Sequence, residues 1–223
     1  MKYRHEWKHE ISPPDRYSLR SKLSAVMQPD AHTVNGAYQI RSLYFDNSED
    51  KALREKIDGV NCREKFRIRY YNGDTTYILL EKKSKRKGLC LKEQQEISYQ
   101  TVEQLITGYY LQMKAEPDSL LGELLEKMKT LGMAPKTIVD YTREPFVSAA
   151  GNVRITLDYD LRVGLHCRDF LNPDCLTVPI REAPMILEVK WDEYLPDYIR
   201  RIVQIPTCHE EAFSKYAMCR MYG

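Results

Sequence analysis

Residues 66–71 of this 223-residue chain read FRIRYY, and their alternation decides the fold. Successive residues of a β-strand point to opposite faces of a sheet, so Phe66, Ile68 and Tyr70 share one face while Arg67 and Arg69 share the other. The positions at 63 and 65 are also basic and extend the second face. One strand of this kind also fits an ordinary antiparallel sheet with one face in water. Other strands must therefore show whether the cationic face is exposed to water or lines an enclosed space.

The same alternation recurs in four further segments, each with polar residues on one face and apolar residues on the other. The polar residues that share a face are, by segment, Arg4, Glu6, Lys8 and Glu10; Glu81 and Lys83; Arg154, Thr156 and Asp158; and Glu188 and Lys190. If such strands form one sheet that closes on itself, the charged faces converge on a lumen and helices cover the apolar faces. The pattern predicts an α+β fold: a closed antiparallel eight-stranded barrel with a polar, basic lumen and helices packed outside.

Turn and cap signals divide the chain into these elements. Asn72 and Gly73 lie between two alternating runs and predict a β-hairpin. Ser12 before two prolines predicts a helix start, and Gly132 predicts a helix end. The predicted strands are residues 4–11, 38–45, 63–71, 75–83, 89–98, 136–147, 152–165 and 185–191. The predicted helices are residues 12–27, 48–57, 102–113, 120–131, 196–203 and 208–221, and residues 168–184 are predicted to form a loop.

Composition fits one globular domain, which we predict to span residues 1–223. The chain is 43% hydrophobic and 30% charged, with 34 basic and 32 acidic residues and a net charge of +2. This near-balance argues against a generally basic nucleic-acid binder, so an anion site must arise from local arrangement of charge. No apolar run is long enough for a membrane-spanning helix, and the charged N-terminus is unlike a signal peptide. We expect a cytoplasmic protein with no membrane segment of its own. The sequence leaves open whether it has a separate membrane partner.

Several common site chemistries have no motif in this sequence. The six cysteines include no C-x-x-C pair, which favours free thiols, and the five histidines lack zinc-ligand spacing. Neither a Walker A loop nor a G-x-G-x-x-G motif occurs. A protein with this sequence that handled phosphates would therefore bind them with side chains rather than with a glycine-rich loop.

Eight short segments, taken in order, resemble a known family. They are residues 4–8 (RHEWK), 40–46 (IRSLYFD), 65–70 (KFRIRY), 80–84 (LEKKS), 141–143 (YTR), 153–158 (VRITLD), 187–190 (LEVK) and 213–216 (FSKY). Together they resemble the polyphosphate polymerase domain of the vacuolar transporter chaperone (VTC) family over nearly the whole chain. That family belongs to the triphosphate tunnel metalloenzymes, also called CYTH-like, whose antiparallel barrel surrounds a basic, water-filled tunnel. The resemblance therefore implies a tunnel that binds triphosphates and a divalent metal.

The resemblance also implies roles for particular residues. Glu188 matches the family's metal-binding glutamate, for Mn²⁺ or Mg²⁺. The residues expected to line the tunnel and contact phosphate are Lys8, Arg67, Arg69, Lys83, Lys92, Arg143, Arg154, Lys190 and Lys215; those expected to be catalytic are Arg67, Arg69, Lys83, Arg154 and Lys215. These types suit the task, because guanidinium groups make bidentate contacts with phosphate and hard cations prefer carboxylate and phosphate oxygens.

Some of the acidic residues allow two interpretations. Glu81 is either an ion-pair partner of Lys83 or Arg69, or a second metal ligand, because opposite charges often face each other across strands. Asp158 and Glu6 allow the same two interpretations. The sequence alone does not choose between them.

Two other groups of residues also allow more than one interpretation. The basic run at residues 82–87 is either a solvated loop or a funnel that attracts polyanions. The chain has 16 tyrosines, which could suggest base stacking, but Tyr70 and Tyr141 are interpreted as core residues.

The reaction that the resemblance implies is ATP-dependent synthesis of polyphosphate, with ATP and polyphosphate as partners and no nucleic acid. Phosphoryl transfer depends mainly on positioning and charge neutralisation, so the lack of a nucleophilic Ser or Cys constellation is no objection. Water as the acceptor would make the same scaffold a triphosphatase. A non-catalytic sensor of polyphosphate or nucleotide is the alternative from another class. The phosphate-sensing N-terminal domain and membrane-spanning helices of eukaryotic members have no counterpart in this sequence, which leaves the corresponding regulation and translocation in doubt.

Overall fold

A computed structural model describes residues 5–86, 89–205 and 213–222. Its strands are β1 (His5–Ile11), β2 (Gln28–Pro29), β3 (Tyr38–Asp46), β4 (Cys62–Tyr71), β5 (Asp74–Arg86), β6 (Leu89–Ile97), β7 (Ala134–Ser148), β8 (Val153–Gly164), β9 (Thr177–Pro179) and β10 (Met185–Trp191). Its α-helices are α1 (Pro13–Val26), α2 (Lys51–Ile57), α3 (Tyr99–Thr107), α4 (Leu120–Leu131), α5 (Asp197–Val203) and α6 (Lys215–Tyr222). None of the helices in these residues is long and apolar enough to cross a membrane.

The strands pair in the order β1-β10-β8-β7-β3-β4-β5-β6, with β2 beside β7 and β9 beside β8. The predicted α+β class with a large antiparallel sheet is confirmed. The predicted eight-stranded closed barrel is not, because the sheet has ten strands and its pairing, over the described ranges, ends at β1 and at β6. The two additional strands, β2 and β9, are two and three residues long and contain proline, so alternation could not reveal them. Closure depends on strand tilt and stagger, which alternation does not encode.

The chain divides into two compact units, which are described separately. The first comprises Met1–Gln39, Tyr141–Leu161 and Arg181–Ser214. Within it, α1 and α5 contribute Leu23 and Ile199 to a fully buried apolar cluster with Ile155 of β8 and with Leu187 and Val189 of β10. Burial of each such side chain is worth roughly 1.5–3 kcal/mol relative to exposure. The cluster fixes one face of these strands, so the alternate residues must project from the other face.

Helix α1 begins where the sequence predicts. The Ser12 hydroxyl accepts a hydrogen bond from the Asp15 backbone N–H at 3.3 Å, and the Asp15 carboxylate accepts one from the Ser12 N–H at 3.2 Å. This capping box satisfies two amide groups that a helix start leaves without partners, and proline is favoured at the first helical positions. The two signals together set the start of the helix at Pro13.

The second unit comprises Ile40–Asp140, Arg162–Ile180 and Lys215–Gly223. Its β4–β5 hairpin turns at Asn72 and Gly73, which have φ values of 51° and 73°. Positive φ at both central residues is the geometry for which Asn-Gly is preferred. The predicted hairpin is therefore confirmed. Helices α3 and α4 cover the apolar face of this unit, where the buried residues are Phe66, Ile68, Leu80, Val102, Leu105, Leu124, Leu125 and Met128.

Three predicted elements differ from the observed ones. The helix predicted at 102–113 divides at Gly108, whose φ of 90° ends α3, and Tyr109–Gln112 forms a separate 3₁₀ turn. The loop predicted at 168–184 contains β9 and the end of a 3₁₀ turn. Of the helix predicted at 208–221, residues 215–221 lie in α6, residues 213 and 214 precede it, and residues 208–212 lie outside the described residues. The single domain over residues 1–223 stays a prediction.

Candidate functional site

In the first unit, β1, β10 and β8 place polar residues side by side on one face. Their register forms the rows Lys8–Glu188–Thr156 and Glu6–Lys190–Arg154. Residues directly opposite each other on adjacent strands have Cβ atoms roughly 4.5–5.5 Å apart, so each row brings its side chains within contact distance. The intervening residues on β8 and β10 are buried in the apolar cluster on the other face. The alternation in these segments therefore produces one polar face.

Glu188 is central to this face and only 7% exposed. The Lys8 Nζ lies 3.1 Å from its Oε1, the Lys190 Nζ lies 3.0 Å from its Oε2, and the Arg143 Nη2 lies 3.8 Å from Oε2. Burial would raise the pKa of the Glu188 carboxyl, but Lys190, a hydrogen bond with Glu6, Lys8 and Arg143 hold that pKa well below its usual range. Glu188 is therefore an ionised, buried carboxylate surrounded by cations.

Arg143 and Arg154 reach this face with different partners. Arg143 binds Asp158 through two parallel contacts, Nε to Oδ1 at 2.6 Å and Nη2 to Oδ2 at 2.7 Å. Arg154 donates from Nη2 to the Tyr38 hydroxyl at 2.7 Å and lies 3.2 Å from Asp30 Oδ2. Of the two interpretations of Asp158, the ion pair is the one that this geometry supports.

In the second unit, β3 to β6 form a cationic face around one buried carboxylate. Glu81 is 2% exposed. Its Oε2 accepts from Arg67 Nε at 2.6 Å and lies 3.9 Å from Arg69 Nη1, and its Oε1 lies 2.6 Å from Lys92 Nζ. Burial would raise the pKa of Glu81, but Arg67, Arg69 and Lys92 hold it below its usual range. The closest ion-pair partners of Glu81 are thus Arg67 and Lys92, and Arg69, one of the two predicted partners, lies 3.9 Å away.

Three lysines lie directly opposite one another on this face. The register pairs Lys65 with Lys83 across β4 and β5, and Lys83 with Lys92 across β5 and β6. Arg63 faces Lys85 in the next row. Like charges placed directly opposite on adjacent strands destabilise a sheet. Within the row, Lys92 is paired with Glu81.

Tyr44 is a member of the cationic face that the sequence analysis did not assign to a functional role. Its hydroxyl accepts from Arg67 Nη1 at 3.0 Å, its side chain is 3% exposed, and its ring stacks on Tyr216 with centroids 5.0 Å apart. Burial would raise the pKa of the phenol, but the positive charges of Arg67, Lys65 and Arg69 lower it to about 7. The signal was present in the sequence, because position 44 alternates with apolar residues 43 and 45, and its register partner is Arg67.

Helix α6 is bound to this unit through its own polar contacts. Tyr216 donates from its hydroxyl to Asp46 Oδ2 at 2.6 Å, and Arg220 binds Asp50 at 2.9 and 3.0 Å. Lys215, one of the predicted catalytic residues, is the first residue of the helix and precedes Tyr216. The two contacts therefore fix the backbone that carries Lys215.

The residues of the basic run 82–87 do not all lie on the same face of the sheet. Lys82 projects from the apolar face, where its Nζ lies 2.7 Å from Glu123 and 5.8 Å from the centre of the Phe66 ring. It therefore does not share the cationic face with Lys83. The run ends at residue 87, outside the described residues. Tyr70 and Tyr141 are both buried, as their interpretation as core residues requires.

The residues of the first unit fit a shared cation site. Over the described ranges, no three His, Cys, Asp or Glu side chains are grouped to hold a metal. Glu188 with Glu6 beside it offers one or two carboxylates, which is the protein contribution typical of Mg²⁺ sites completed by substrate phosphates and water. The Thr156 hydroxyl lies opposite Glu188 and is buried without a hydrogen-bond partner among the described residues. The carboxylates of Glu188 and Glu6 suit a cation held jointly by the protein and a phosphate.

The predicted site residues are therefore distributed over both units. Lys8, Arg143, Arg154, Glu188 and Lys190 come together in the first unit. Arg67, Arg69, Lys83 and Lys92 share the cationic face of the second, and Lys215 begins α6. That they all face one lumen, and that they have the predicted roles, stays a prediction.

An α+β fold whose sheet carries buried carboxylates among arginines and lysines defines a protein equipped to bind anions. More particularly, the chain belongs to the VTC domain family, whose model matches residues 3–222. The resemblance noted in the sequence is thus confirmed at the level of the family. Membership supports an activity on triphosphates or polyphosphate.

Similar solved structures come from several organisms. A protein of Bacillus halodurans described as a candidate adenylate cyclase shares 12% identity, with 92% of this chain and 94% of that chain covered and a TM-score of 0.51. The PH1819 protein of Pyrococcus horikoshii OT3 shares 16%, covering 89% and 83%, with a TM-score of 0.44. The capping enzyme triphosphatase of Mimivirus shares 9%, covering 90% and 86%, with a TM-score of 0.37. The likeness to the Bacillus halodurans protein is one of fold. No curated protein matches the chain.

Proposed function

We propose that this protein is a polyphosphate polymerase that transfers the γ-phosphate of ATP to a growing polyphosphate chain. Membership of the VTC family supports it. The observation that carries it is the row Lys65–Lys83–Lys92, in which three cations lie opposite one another. Such a row places ammonium groups side by side, which suits an extended chain of phosphates.

The basic residues of the second unit would bind and orient phosphates. Arg67 is held from two sides, by Glu81 at Nε and by Tyr44 at Nη1, so its guanidinium is fixed before a ligand arrives. Arg69 is 4% exposed and donates from Nε to Ser42 at 3.3 Å. Prepositioned donors neutralise charge on the phosphates with little reorganisation, which is the main protein contribution to phosphoryl transfer.

The first unit would hold the divalent cation. Glu188, with Glu6 beside it, would bind Mn²⁺ or Mg²⁺, and the bound ion would neutralise charge on phosphate oxygens. Lys190 and Lys8 hold the pKa of the Glu188 carboxyl well below its usual range, so the group offered to a cation is a carboxylate. In the reaction, a terminal phosphate oxygen of the acceptor chain attacks the γ-phosphorus, the bond to the bridging β-γ oxygen breaks, and ADP leaves.

We also propose that residues 1–223 act as one domain in the cytoplasm, with ATP and polyphosphate as partners. The four cysteines that the structure describes with their side chains are free thiols: Cys62, Cys167, Cys175 and Cys219. Free thiols suit a reducing compartment, where ATP is also available.

The test is to incubate the purified protein with ATP and Mn²⁺ or Mg²⁺, with and without a short polyphosphate primer, and to resolve the products. We expect ADP and long-chain polyphosphate. Release of ADP and orthophosphate without polyphosphate would instead indicate a triphosphatase, and binding without turnover would indicate a non-catalytic sensor. Arg67→Ala should lower both affinity and turnover, whereas Arg181→Ala, at an exposed position outside both clusters, is the matched control.

A further inference from the structure

Among the residues that the structure describes, the hydroxyl of Thr156 has no hydrogen-bond partner. Thr156 is 2% exposed, and its Oγ1 is buried. The great majority of buried side-chain polar atoms in folded proteins are paired. This hydroxyl is therefore an exception that needs a physical explanation.

Its position on β8 places the hydroxyl in the polar face of the first unit. Ile155 and Leu157 on either side are fully buried in the apolar cluster, so Thr156 projects from the opposite face. Its register partner is Glu188, and Lys8 follows across the next strand. Thr156 thus stands in the row whose central residue is the expected metal-binding glutamate.

A buried hydroxyl without a partner is costly, because water has been removed and nothing replaces it. Valine has nearly the same shape, suits a strand equally well and has no polar group to satisfy. The packing of β8 therefore does not require a threonine here. A hydroxyl at this position is satisfied when a water molecule or a ligand oxygen reaches it.

The surrounding charges favour an anionic ligand at this position. Lys190 and Arg154 occupy the neighbouring row, and Lys8 lies beyond Glu188 in the same row. These cations attract phosphate, but Glu188 would repel it at close range. A hydroxyl opposite the carboxylate provides a neutral, directional donor where a further positive charge would pair with Glu188 instead.

We propose that Thr156 is a ligand-contacting residue of the Glu188 site, and that its hydroxyl donates a hydrogen bond to a phosphate oxygen of the bound triphosphate. The inference rests on the proposed function, because it takes the ligand to be a triphosphate or polyphosphate. It adds to the charged residues an uncharged contact that the family resemblance did not supply.

The test compares Thr156→Val, which keeps the shape, with Thr156→Ser, which keeps the hydroxyl. Tripolyphosphate affinity is measured by calorimetry without divalent metal, and thermal stability is measured without ligand. We expect Thr156→Val to lower affinity about tenfold or more, as for a hydrogen bond to a charged acceptor, and Thr156→Ser to retain most of it. The melting temperature of ligand-free Thr156→Val should lie between that of the wild type and a value about 2–4 °C higher, because an unsatisfied polar group has been removed.

Thr177→Val is the matched control, because the Thr177 hydroxyl accepts from Arg162 Nε at 2.7 Å. It should lose thermal stability and leave tripolyphosphate affinity unchanged. This opposite pattern separates a hydroxyl with a protein partner from one that awaits a ligand.

Three results would overturn the contact. They are wild-type affinity in Thr156→Val, a joint loss of affinity and ligand-free stability in that variant, or weaker binding of Mn²⁺ alone with unchanged tripolyphosphate affinity. The last would assign the hydroxyl to the cation instead. If the wild type binds no tripolyphosphate at all, the proposed function fails and the contact fails with it, so the two failures are distinguishable.

Discussion

Replacing Glu81 by glutamine should destabilise the ligand-free protein and strengthen its binding of polyanions. The substitution keeps the shape of the side chain but removes the carboxylate charge that faces Arg67 at 2.6 Å, Lys92 at 2.6 Å and Arg69 at 3.9 Å. Removing one partner from a buried ion pair typically costs about 3–5 kcal/mol, because the remaining charges are left uncompensated. We therefore expect Glu81→Gln to lose on the order of 3–5 kcal/mol of unfolding free energy at neutral pH.

A bound polyanion should restore much of this loss. Phosphate oxygens can occupy the place of the missing carboxylate beside Arg67 and Lys92, and they no longer compete with it for those donors. Saturating tripolyphosphate should therefore stabilise Glu81→Gln by more than it stabilises the wild type. The expected signs are opposite: lower stability without ligand, and higher affinity for ligand.

Urea denaturation with and without tripolyphosphate measures both quantities, and Glu93→Gln is the matched control. Glu93 lies on β6 and pairs with Lys82 at 3.4 Å, but its side chain is 42% exposed, so its loss should cost no more than about 1 kcal/mol. The pH dependence adds a check. Because the pKa of Glu81 is lowered on folding, its contribution is present above the ordinary value of 4.5 and is lost as the pH falls through the folded value. A deficit that tripolyphosphate leaves unchanged would refute the reasoning.

Three further perturbations test other parts of the clusters. Folding lowers the Tyr44 pKa from 10.0 to about 7, so ionisation of Tyr44 should stabilise the wild type relative to Tyr44→Phe fully above pH 10, and this advantage should disappear as the pH falls through 7. Phenolate absorbance follows the ionisation, and urea denaturation at each pH measures the stability difference. Parallel stability profiles of the two proteins over this pH range would contradict the prediction. Tyr216→Phe loses the 2.6 Å bond to Asp46 and should cost about 1.5–3 kcal/mol in urea denaturation; an unchanged midpoint would show that α6 does not depend on this bond. Glu188→Gln should lose most ATP turnover with Mn²⁺ while metal-free tripolyphosphate binds equally or better, and weaker metal-free binding would argue that Glu188 positions the cations rather than a metal.

Much of the fold could be predicted because its signals are local. Asn72 and Gly73 specify their hairpin by backbone conformation, and alternation in residues 66–71 fixes which side chains share a face. The short strands β2 and β9 could not be found this way, because two or three residues contain no period. Gly108 divided a helix whose apolar spacing continued beyond it, since a left-handed residue overrides periodicity.

The sequence predicted which face of the sheet the site residues share, but it predicted less well which residues they contact. That Arg67 and Arg69 share a face followed from their spacing. That Glu81 pairs with Lys92 depends on register across β5 and β6, which alternation does not specify. The unpaired hydroxyl of Thr156 requires the positions of all surrounding atoms.

The lysine row also has a consequence for how this protein reaches its folded state. In the unfolded chain, Lys65, Lys83 and Lys92 are far enough apart for water and salt to screen them, and their repulsion appears only when β4, β5 and β6 pair. Pairing of these three strands is therefore the step that brings the three lysines together. A polyphosphate chain present during synthesis would lower the cost of that step, so the product of the proposed reaction would also assist the folding of the protein that makes it.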